Sequence, residues 1–338
     1  MKPTDFSKYI TDYLTQYLPV ECGVSHNTIQ TYSHTFTIFL SYMDGEEGIR
    51  PEKLYMKDIT KQRIIHFLDW LESERNCSVS TRNARLAAVH SFFRFVQYRD
   101  VAGLKQWQEI LSIRFKKTAS PEMSYLTVDG LMLILKQPDI QTRCGRRDLA
   151  LLGLLYDSGA RVQELINLTP ADFRFGETAT VKLTGKGNKV RIVPLSAGQV
   201  QNLKCYMIEN NLFEPQNSAH PFFPNPQQNR MSRRAVLNIV KKYAEMARKI
   251  APELIPDKMG CHTFRHSKAM HMLEADINLV YIRDFMGHVS TTTTEVYART
   301  SDKKKMEALK KMNPSIVVDR KTSWQKDGEL LTWLKSLQ

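Results

Sequence analysis

The sequence has few cysteines, and their spacing does not match a disulfide framework or a metal site. The five residues Cys22, Cys77, Cys144, Cys205 and Cys261 are odd in number and far apart, and no two form a CxxC pair. This pattern argues against a disulfide scaffold and against a structural zinc site. Reduced thiols in a cytoplasmic protein are therefore expected.

Long apolar runs are also missing. No stretch of about 18 apolar residues occurs, and residues 1–13 are too polar for a secretory signal, so a membrane protein is not expected. Neither an internal repeat nor a low-complexity tract is visible. The GxxxxGK[ST] pattern of a nucleotide-binding P-loop is absent as well.

Acidic residues are in the minority. The chain of 338 residues carries 48 Lys and Arg against 35 Asp and Glu, a formal charge of +13, and its isoelectric point is near 9.4. Such a balance suits a polyanion, either nucleic acid or an anionic membrane surface. The length, with 42% hydrophobic residues, favours two domains.

The first third of the chain predicts short helices. Apolar residues recur there at three- and four-residue steps, which is typical of one helix face. The three stripes are Ile29, Tyr32, Phe36, Leu40 and Met43; Ile64, Phe67, Leu68 and Leu71; and Leu86, Val89, Phe92, Phe93 and Val96. Thr60 is a plausible cap for the second. The polar side of the third carries Arg82, Arg85 and Arg94, which spacing alone favours as a solvated face.

A change of composition separates this region from the rest. Residues 114–126 lack a helical stripe and predict a linker. Beyond it, Leu149 to Leu155 predicts a buried helix ended by Gly159. Thr180 to Leu195 predicts a β-hairpin, because two alternating apolar runs flank the turn residues 185–188. Helices are expected again at 196–210 and 232–250.

Four segments after the linker concentrate groups that suit an anionic phosphodiester. They are ARVQEL (160–165), TGKGNKVR (184–191), HTFR (262–265) and Gly287-His288 followed by Tyr297. Arg161 and Arg265 can each form bidentate hydrogen bonds to the extra charge of a phosphorane-like transition state.

The remaining groups fit the other steps of strand cleavage. A tyrosine phenol is a weak nucleophile and needs a base, usually histidine. The leaving 5′ oxygen needs a proton, which a lysine on a hairpin turn can supply. His262 and Arg265 stand three residues apart, so a helix would present both on one face and its N-terminal end would favour a phosphate.

Each residue alone has an ordinary explanation. A single arginine is usually solvated, a Gly-Lys-Gly-Asn segment is usually a turn, and a tyrosine in a helix is usually core. His262 and His266, four residues apart, could ligate a metal, but no carboxylate or cysteine is placed to complete that site.

Taken together, the order Arg, Lys, His-x-x-Arg, His, Tyr resembles the tyrosine recombinase (phage integrase) family. The similarity is greatest to the compact Xer-type recombinases and to integrases of mobile elements. It covers roughly Thr127 to Lys311, with ARVQEL, TGKGNKVRIVPL, HTFRHSKAMHML and FMGHVSTTTTEVYA matching the family's segments in order.

The resemblance implies a role for each matching residue. Arg161 and Arg265 clamp the scissile phosphate, and His288 hydrogen-bonds it. Lys186 is the general acid for the leaving 5′-hydroxyl. His262 takes the proton of Tyr297, which forms a 3′-phosphotyrosyl intermediate. Glu164 supports the site from behind. No metal, ATP or other cofactor is implied.

Other positions either depart from the family's pattern or lie outside its catalytic set. Tyr281 is a rival nucleophile, but it precedes Gly287-His288, whereas the family's tyrosine follows that pair. Lys268 and His271 stand where small or apolar residues are expected, which suggests a distinct subgroup. Contacts to DNA are expected from positions outside the catalytic set: Arg82, Arg85, Lys189, Arg191 and Arg233.

The expected fold is mainly α with a small β-hairpin or sheet, arranged as a two-lobed clamp on DNA. Residues 1–113 form a helical, SAM-like core-binding domain, 127–312 an α+β catalytic domain and 313–338 a tail. The implied partners are double-stranded DNA, a second copy on each site, four copies in synapsis and accessory recombination proteins, in the cytoplasm and without a membrane. Two alternatives are a type IB topoisomerase and a catalytically silent DNA-binding factor.

The tail is expected to end in a short helix. Trp324, Leu330, Leu331, Leu334 and Leu337 can share one side of it. A helix of two or three turns is marginal alone in water, so its apolar face must dock. It can dock on its own catalytic lobe or, as the resemblance favours, on a neighbouring protomer.

Overall fold

The computed structural model of the protein describes residues 3–118, 123–287, 297 and 334–336. It divides into two compact units, the N-terminal unit (Met1–Pro121) and the C-terminal unit (Glu122–Gln338). Each unit contains a hydrophobic cluster of its own. Among the described residues, no helix combines the length and the apolar character that crossing a bilayer requires.

The N-terminal unit is helical. Its α-helices are α1 (Asp5–Asp12), α2 (His26–Gly45), α3 (Lys61–Ser73), α4 (Val79–Val96) and α5 (Leu104–Leu111). The hydroxyls of Thr4, Thr60 and Ser78 accept backbone N–H groups at the starts of α1, α3 and α4. Such caps satisfy donors that have no partner inside the helix. The cap predicted at Thr60 is confirmed.

The three predicted stripes lie on α2, α3 and α4 and pack into one core. Helix α2 has 20 residues and α4 has 18, so these helices are longer than expected. The rings of Phe36 and Phe92 are 5.1 Å apart and join α2 to α4. Periodicity did not reveal that a π-helical segment, Tyr13–Glu21, follows α1 and buries Tyr13 in the same core.

The C-terminal unit surrounds a buried central helix. Its helices are α6 (Val128–Leu135), α7 (Arg143–Asp157), α8 (Val162–Asn167), α9 (Ala197–Glu209), α10 (Arg233–Ile250), α11 (Cys261–Glu274) and α12 (Leu279–Met286). Four of the five leucines of α7 (Leu151, Leu152, Leu154 and Leu155) are buried, as the apolar run predicted. After α7, Gly159 adopts a positive φ of 56°, a conformation that glycine reaches without strain.

A small antiparallel sheet completes this unit. Its strands are β1 (Phe173–Arg174), β2 (Thr180–Thr184) and β3 (Val190–Pro194), in the order β1-β2-β3. The predicted hairpin is therefore confirmed, with Leu183 opposite Arg191 and Thr184 opposite Val190. The mainly helical fold with a small sheet is confirmed as well.

The predicted linker and tail are only partly described. Residues 114–118 and 123–126 form neither helix nor strand. Leu126 is nevertheless buried, and its N–H donates to the Ser267 hydroxyl at 2.8 Å, so this residue belongs to the C-terminal unit. Apart from 334–336, the predicted tail lies outside the described residues.

Candidate active site

Glu164 occupies the centre of an ion-pair cluster at the start of α8. One of its carboxylate oxygens accepts the backbone N–H of Arg161 at 2.8 Å, and the other accepts from the Arg161 guanidinium at 2.9 Å. Arg191, on β3, donates to both oxygens at 2.9 and 2.8 Å. Burial raises the pKa of Glu164, but the hydrogen bonds and charges of Arg191 and Arg161 outweigh it and lower the pKa to about 2.

Arg265 lies beside this cluster on α11 and is only 3% exposed. Its guanidinium donates to the carbonyls of Gly159 and Met286. Burial, followed by the charges of Arg161 and Arg191, lowers the pKa of Arg265 to about 10. A protonated guanidinium with positive neighbours is well suited to receive a phosphate.

Tyr297 is buried at 1% exposure, and its hydroxyl lies 3.1 Å from Nδ1 of His266. Burial raises the pKa of Tyr297, while the charges of Arg265 and Arg161 act in the opposite direction. Burial has the larger effect, so the phenol is favoured over the phenolate and its proton must be removed by a base when it attacks.

Two histidines stand near this tyrosine on α11. Burial lowers the pKa of His262, and the charges of Arg265 and Arg161 add to the effect. Burial, His262 and Arg265 lower the pKa of His266 to about 4. Both imidazoles are therefore favoured in the neutral form at pH 7, which is the form that accepts a proton.

The hairpin turn lies close to Glu164. A Cβ added at Gly185 would meet a Glu164 oxygen at 2.9 Å, so glycine permits the approach. The turn that follows, Lys186–Asn188, includes Gly187 at a positive φ of 73°. The turn that carries Lys186 and Lys189 therefore starts next to Glu164 and its arginine partners.

Sequence reasoning identified Arg161, Glu164, His262, Arg265 and Tyr297, which the structure brings together around α11 and the start of α8. His288 lies outside the described residues. Tyr281, the rival nucleophile, is on α12 and is 70% exposed. His266 was considered only as a metal ligand; its position one helical turn after His262 was the available signal for its place beside Tyr297.

The five expected DNA contacts are not equivalent in position. Lys189 and Arg233 are exposed, and Arg233 donates to the Gln163 side chain at 2.7 Å. Arg85 donates to the Thr35 hydroxyl at 3.0 Å. Arg82, by contrast, is 4% exposed and donates to the carbonyl of residue 114, and the Arg191 side chain is 11% exposed. Both guanidiniums are turned toward protein oxygens: Arg191 donates to Glu164, and Arg82 donates through one terminal nitrogen while its Nε is buried without a hydrogen-bond partner.

Lys268 and His271 have local partners. Lys268 lies 3.2 Å from an Asp157 oxygen. His271 contacts the Tyr156 hydroxyl and the carbonyl of Leu126, each at 2.9 Å. These polar residues fit this chain because α7 and the segment before α6 supply matching polar groups.

No group of three potential metal ligands occurs in the described part of the chain. His262 and His266 have ring centroids 6.0 Å apart, and His266 contacts the tyrosine hydroxyl instead. The described site places the guanidiniums of Arg161 and Arg265 near a phenol, an arrangement that suits a phosphate.

Family models match both units of the chain. The Phage integrase family model matches residues 124–304, and the model for the phage integrase N-terminal SAM-like domain matches residues 10–99. The chain belongs to the phage integrase family of tyrosine recombinases.

Curated relatives agree over nearly the full length. The putative integrase/recombinase y4rC of Sinorhizobium fredii is 30% identical over 337 residues, 99% of each chain. Tyrosine recombinase XerC of Thermodesulfovibrio yellowstonii is 28% identical over 315 residues, 92% of this chain and 98% of the relative. The protein is a site-specific recombinase, and neither the topoisomerase nor the silent-factor alternative is favoured.

Solved structures share the fold. The XerH recombinase bound to difH DNA in a post-cleavage complex matches with a TM-score of 0.66 at 21% identity, covering 85% of this chain and 80% of that one. The Tn1549 transposon integrase with transposon end DNA matches with a TM-score of 0.67 at 16% identity, covering 91% and 98%.

Proposed function

We propose that this recombinase cuts and rejoins duplex DNA through a 3′-phosphotyrosyl bond to Tyr297, without metal or ATP. The observation that carries the proposal is the position of this phenol: it is buried beside His266 of α11, and the positive charges of Arg265 and Arg161 act on it. A core tyrosine does not require two guanidiniums that favour its ionised form.

The reaction needs one proton removed and one delivered. The Tyr297 oxygen attacks phosphorus while its proton passes to a neutral histidine, and the bond from phosphorus to the 5′ oxygen breaks as Lys186 donates a proton to that oxygen. Arg161, Arg265 and His288 stabilise the charge on the non-bridging oxygens. On rejoining, a 5′-hydroxyl attacks phosphorus and the phenol leaves, so the phosphodiester bond energy is conserved.

Two histidines compete for the tyrosine proton. The family pattern favours His262, and the 3.1 Å contact in this DNA-free state favours His266. We assign the proton to His262 when DNA is bound, with His266 holding the hydroxyl before DNA arrives. His262→Gln should then lower the cleavage rate more than His266→Gln does, and the reverse order would exchange the two roles.

The partner is double-stranded DNA. Lys189, Arg233 and Arg85 are the contact candidates that remain. A dimer on each site and a tetramer in synapsis fit a recombinase of this family, and accessory proteins can add control. Its bacterial relatives keep their DNA in the cytoplasm, where we place this protein.

Covalent capture tests the proposal directly. The full chain is incubated with DNA from its source genome, adducts that survive SDS are collected, and the attached DNA is sequenced. Tyr297→Phe should bind DNA but yield no adduct, whereas Tyr281→Phe should yield the same adduct as the parent protein. An adduct that persists in Tyr297→Phe and is lost in Tyr281→Phe would contradict the assignment. Strand exchange between paired sites, rather than supercoil relaxation, should be the productive reaction.

The tail is proposed to dock on a neighbouring protomer. A head-to-tail exchange of this kind can close into a ring and would make the assembly of paired sites depend on the tail. Truncation after Val318 should leave binding of one protomer to one site nearly intact and abolish recombination. Unfolding, or loss of single-protomer binding, would instead place the tail on its own catalytic lobe.

A further inference from the structure

Three guanidiniums grip three consecutive carbonyls at the end of α12. Arg191 donates through Nε to the Phe285 carbonyl at 2.9 Å. Arg265 donates to the Met286 carbonyl, and Arg161 donates to the Gly287 carbonyl at 3.2 Å. The arginines come from β3, α11 and the start of α8, so three separate elements meet at one helix end.

A helix end of this kind attracts cations. The last carbonyls of a helix lack partners within it, and they carry the negative end of the helix dipole. The arginine N–H groups supply the hydrogen bonds that these carbonyls lack. The negative end of the dipole in turn offsets part of the repulsion among the three arginines. The end of α12 is thereby held to the phosphate clamp, directly before His288 in the sequence.

Arg191 differs from the other two arginines because all three of its guanidinium nitrogens donate to protein oxygens, two of them to a carboxylate. Its two terminal nitrogens are bonded to the two Glu164 oxygens at 2.9 and 2.8 Å, and its Nε is bonded to α12. A Cβ added at Gly287 would meet the Arg191 side chain at 3.1 Å, so the helix end fits closely against it. A lysine has no planar fork with which to make these three bonds.

We infer that Arg191 is a positioning residue of the recombination reaction and not a DNA contact. Its hydrogen bonds connect the hairpin that carries Lys186 to Glu164 and to the end of α12. They therefore fix the position of the general acid relative to the phosphate clamp. This inference rests on the proposed roles of Lys186 and Tyr297. Loss of Arg191 should therefore impair the chemical step, in particular protonation of the leaving oxygen, and leave DNA affinity unchanged.

The test uses the full chain and the site recovered by covalent capture. Cleavage is timed at saturating DNA with an ordinary substrate and with one that carries sulfur at the 5′ bridging position, since a thiolate leaves without an acid. Arg191→Gln and Arg191→Lys should each slow ordinary cleavage by about 10- to 100-fold. The sulfur substrate should restore most of that loss, as it should for Lys186→Ala, the reference for a missing acid.

Salt dependence of binding separates positioning from contact. A phosphate contact contributes about 0.9 to the slope of log affinity against log salt. Arg191→Gln should keep the parent slope, whereas Lys189→Gln should reduce it by about 0.9. Lys182→Gln removes a lysine on β2 that pairs with Asp172, the residue just before β1, and should change neither slope nor rate.

Each outcome decides the question. A reduced slope, or no rescue by sulfur, overturns the inference, and so does a parent-like rate in both Arg191 variants. If Arg191→Gln fails to fold, Arg191→Lys, which keeps the positive charge, is judged alone by the same cleavage rate and the same sulfur rescue. If the parent protein itself forms no Tyr297 adduct, the proposed function fails; if it does, only the role of Arg191 is at issue.

Discussion

In the N-terminal unit, Arg82 and Arg85 on α4 each join that helix to a different neighbour. Arg85 reaches the Thr35 hydroxyl on α2, and Arg82 reaches the carbonyl of residue 114 after α5. In the C-terminal unit the pattern is convergent, because Arg161 and Arg191 share Glu164 and, together with Arg265, donate to the carbonyls at the end of α12.

The difference shows that the presence of an arginine does not by itself indicate whether it connects segments of the protein or binds an anion. Arg82 and Arg85 each connect α4 to one neighbouring segment by hydrogen bonds, and an uncharged donor could make the same connection. Arginines that converge leave an excess of positive charge in a partly buried place, where the effective dielectric is low. Only the second arrangement is suited to stabilise a developing anion.

The largest effect expected from this comparison is on catalysis. Arg265→Lys should lower the cleavage rate about 1,000-fold while DNA affinity is nearly kept, because an ammonium cannot supply the paired donors that a phosphorane requires. The matched control is Arg99→Lys. Arg99 lies in the N-terminal unit and pairs with Asp12 and Glu21, so this variant should cleave at the parent rate. Equal losses in the two variants would erase the distinction between the units.

A smaller effect is expected on folding of the N-terminal unit. Arg82→Gln should reduce the free energy of unfolding by about 1–3 kcal/mol, because a buried group loses its hydrogen bonds. Denaturant titration measures this change, and the salt slope of DNA binding should stay at the parent value. A parent-like stability combined with a slope lower by about 0.9 would return Arg82 to the set of DNA contacts.

The smallest effect concerns acid. The pKa of His266 is about 4 in the folded chain against an ordinary value of 6.5, so between these values the unfolded chain binds more protons. The contribution of His266 to the free energy of unfolding is therefore fully present above pH 6.5. It declines as pH falls toward 4, by roughly 1–2 kcal/mol for this partly exposed group. His266→Gln should flatten that decline, whereas His26→Gln, on the exposed start of α2, should follow the parent curve. Urea titrations at pH 7 and pH 5 make the comparison.

The sequence by itself determined the features that depend on neighbouring residues. The stripes of α2, α3 and α4, the cap at Thr60 and the hairpin with its glycine turn are local patterns, since periodicity and turn chemistry act over a few residues. The order of the four candidate site segments, from ARVQEL to the tyrosine, could also be identified from the sequence, because a motif is a linear pattern even when its residues meet only in the folded chain.

Only the tertiary structure decided which side chains meet. Arg191 reaches Glu164 across 27 positions, Arg265 reaches Gly159 across 106, and Arg161 reaches Gly287 across 126. Spacing along the chain contains no information about such pairs, so Arg82 and Arg191 resembled solvated or DNA-facing residues until their partners were known. The preference of Tyr297 for His266 has the same origin: one helix presents both histidines, and the packing against it selects between them.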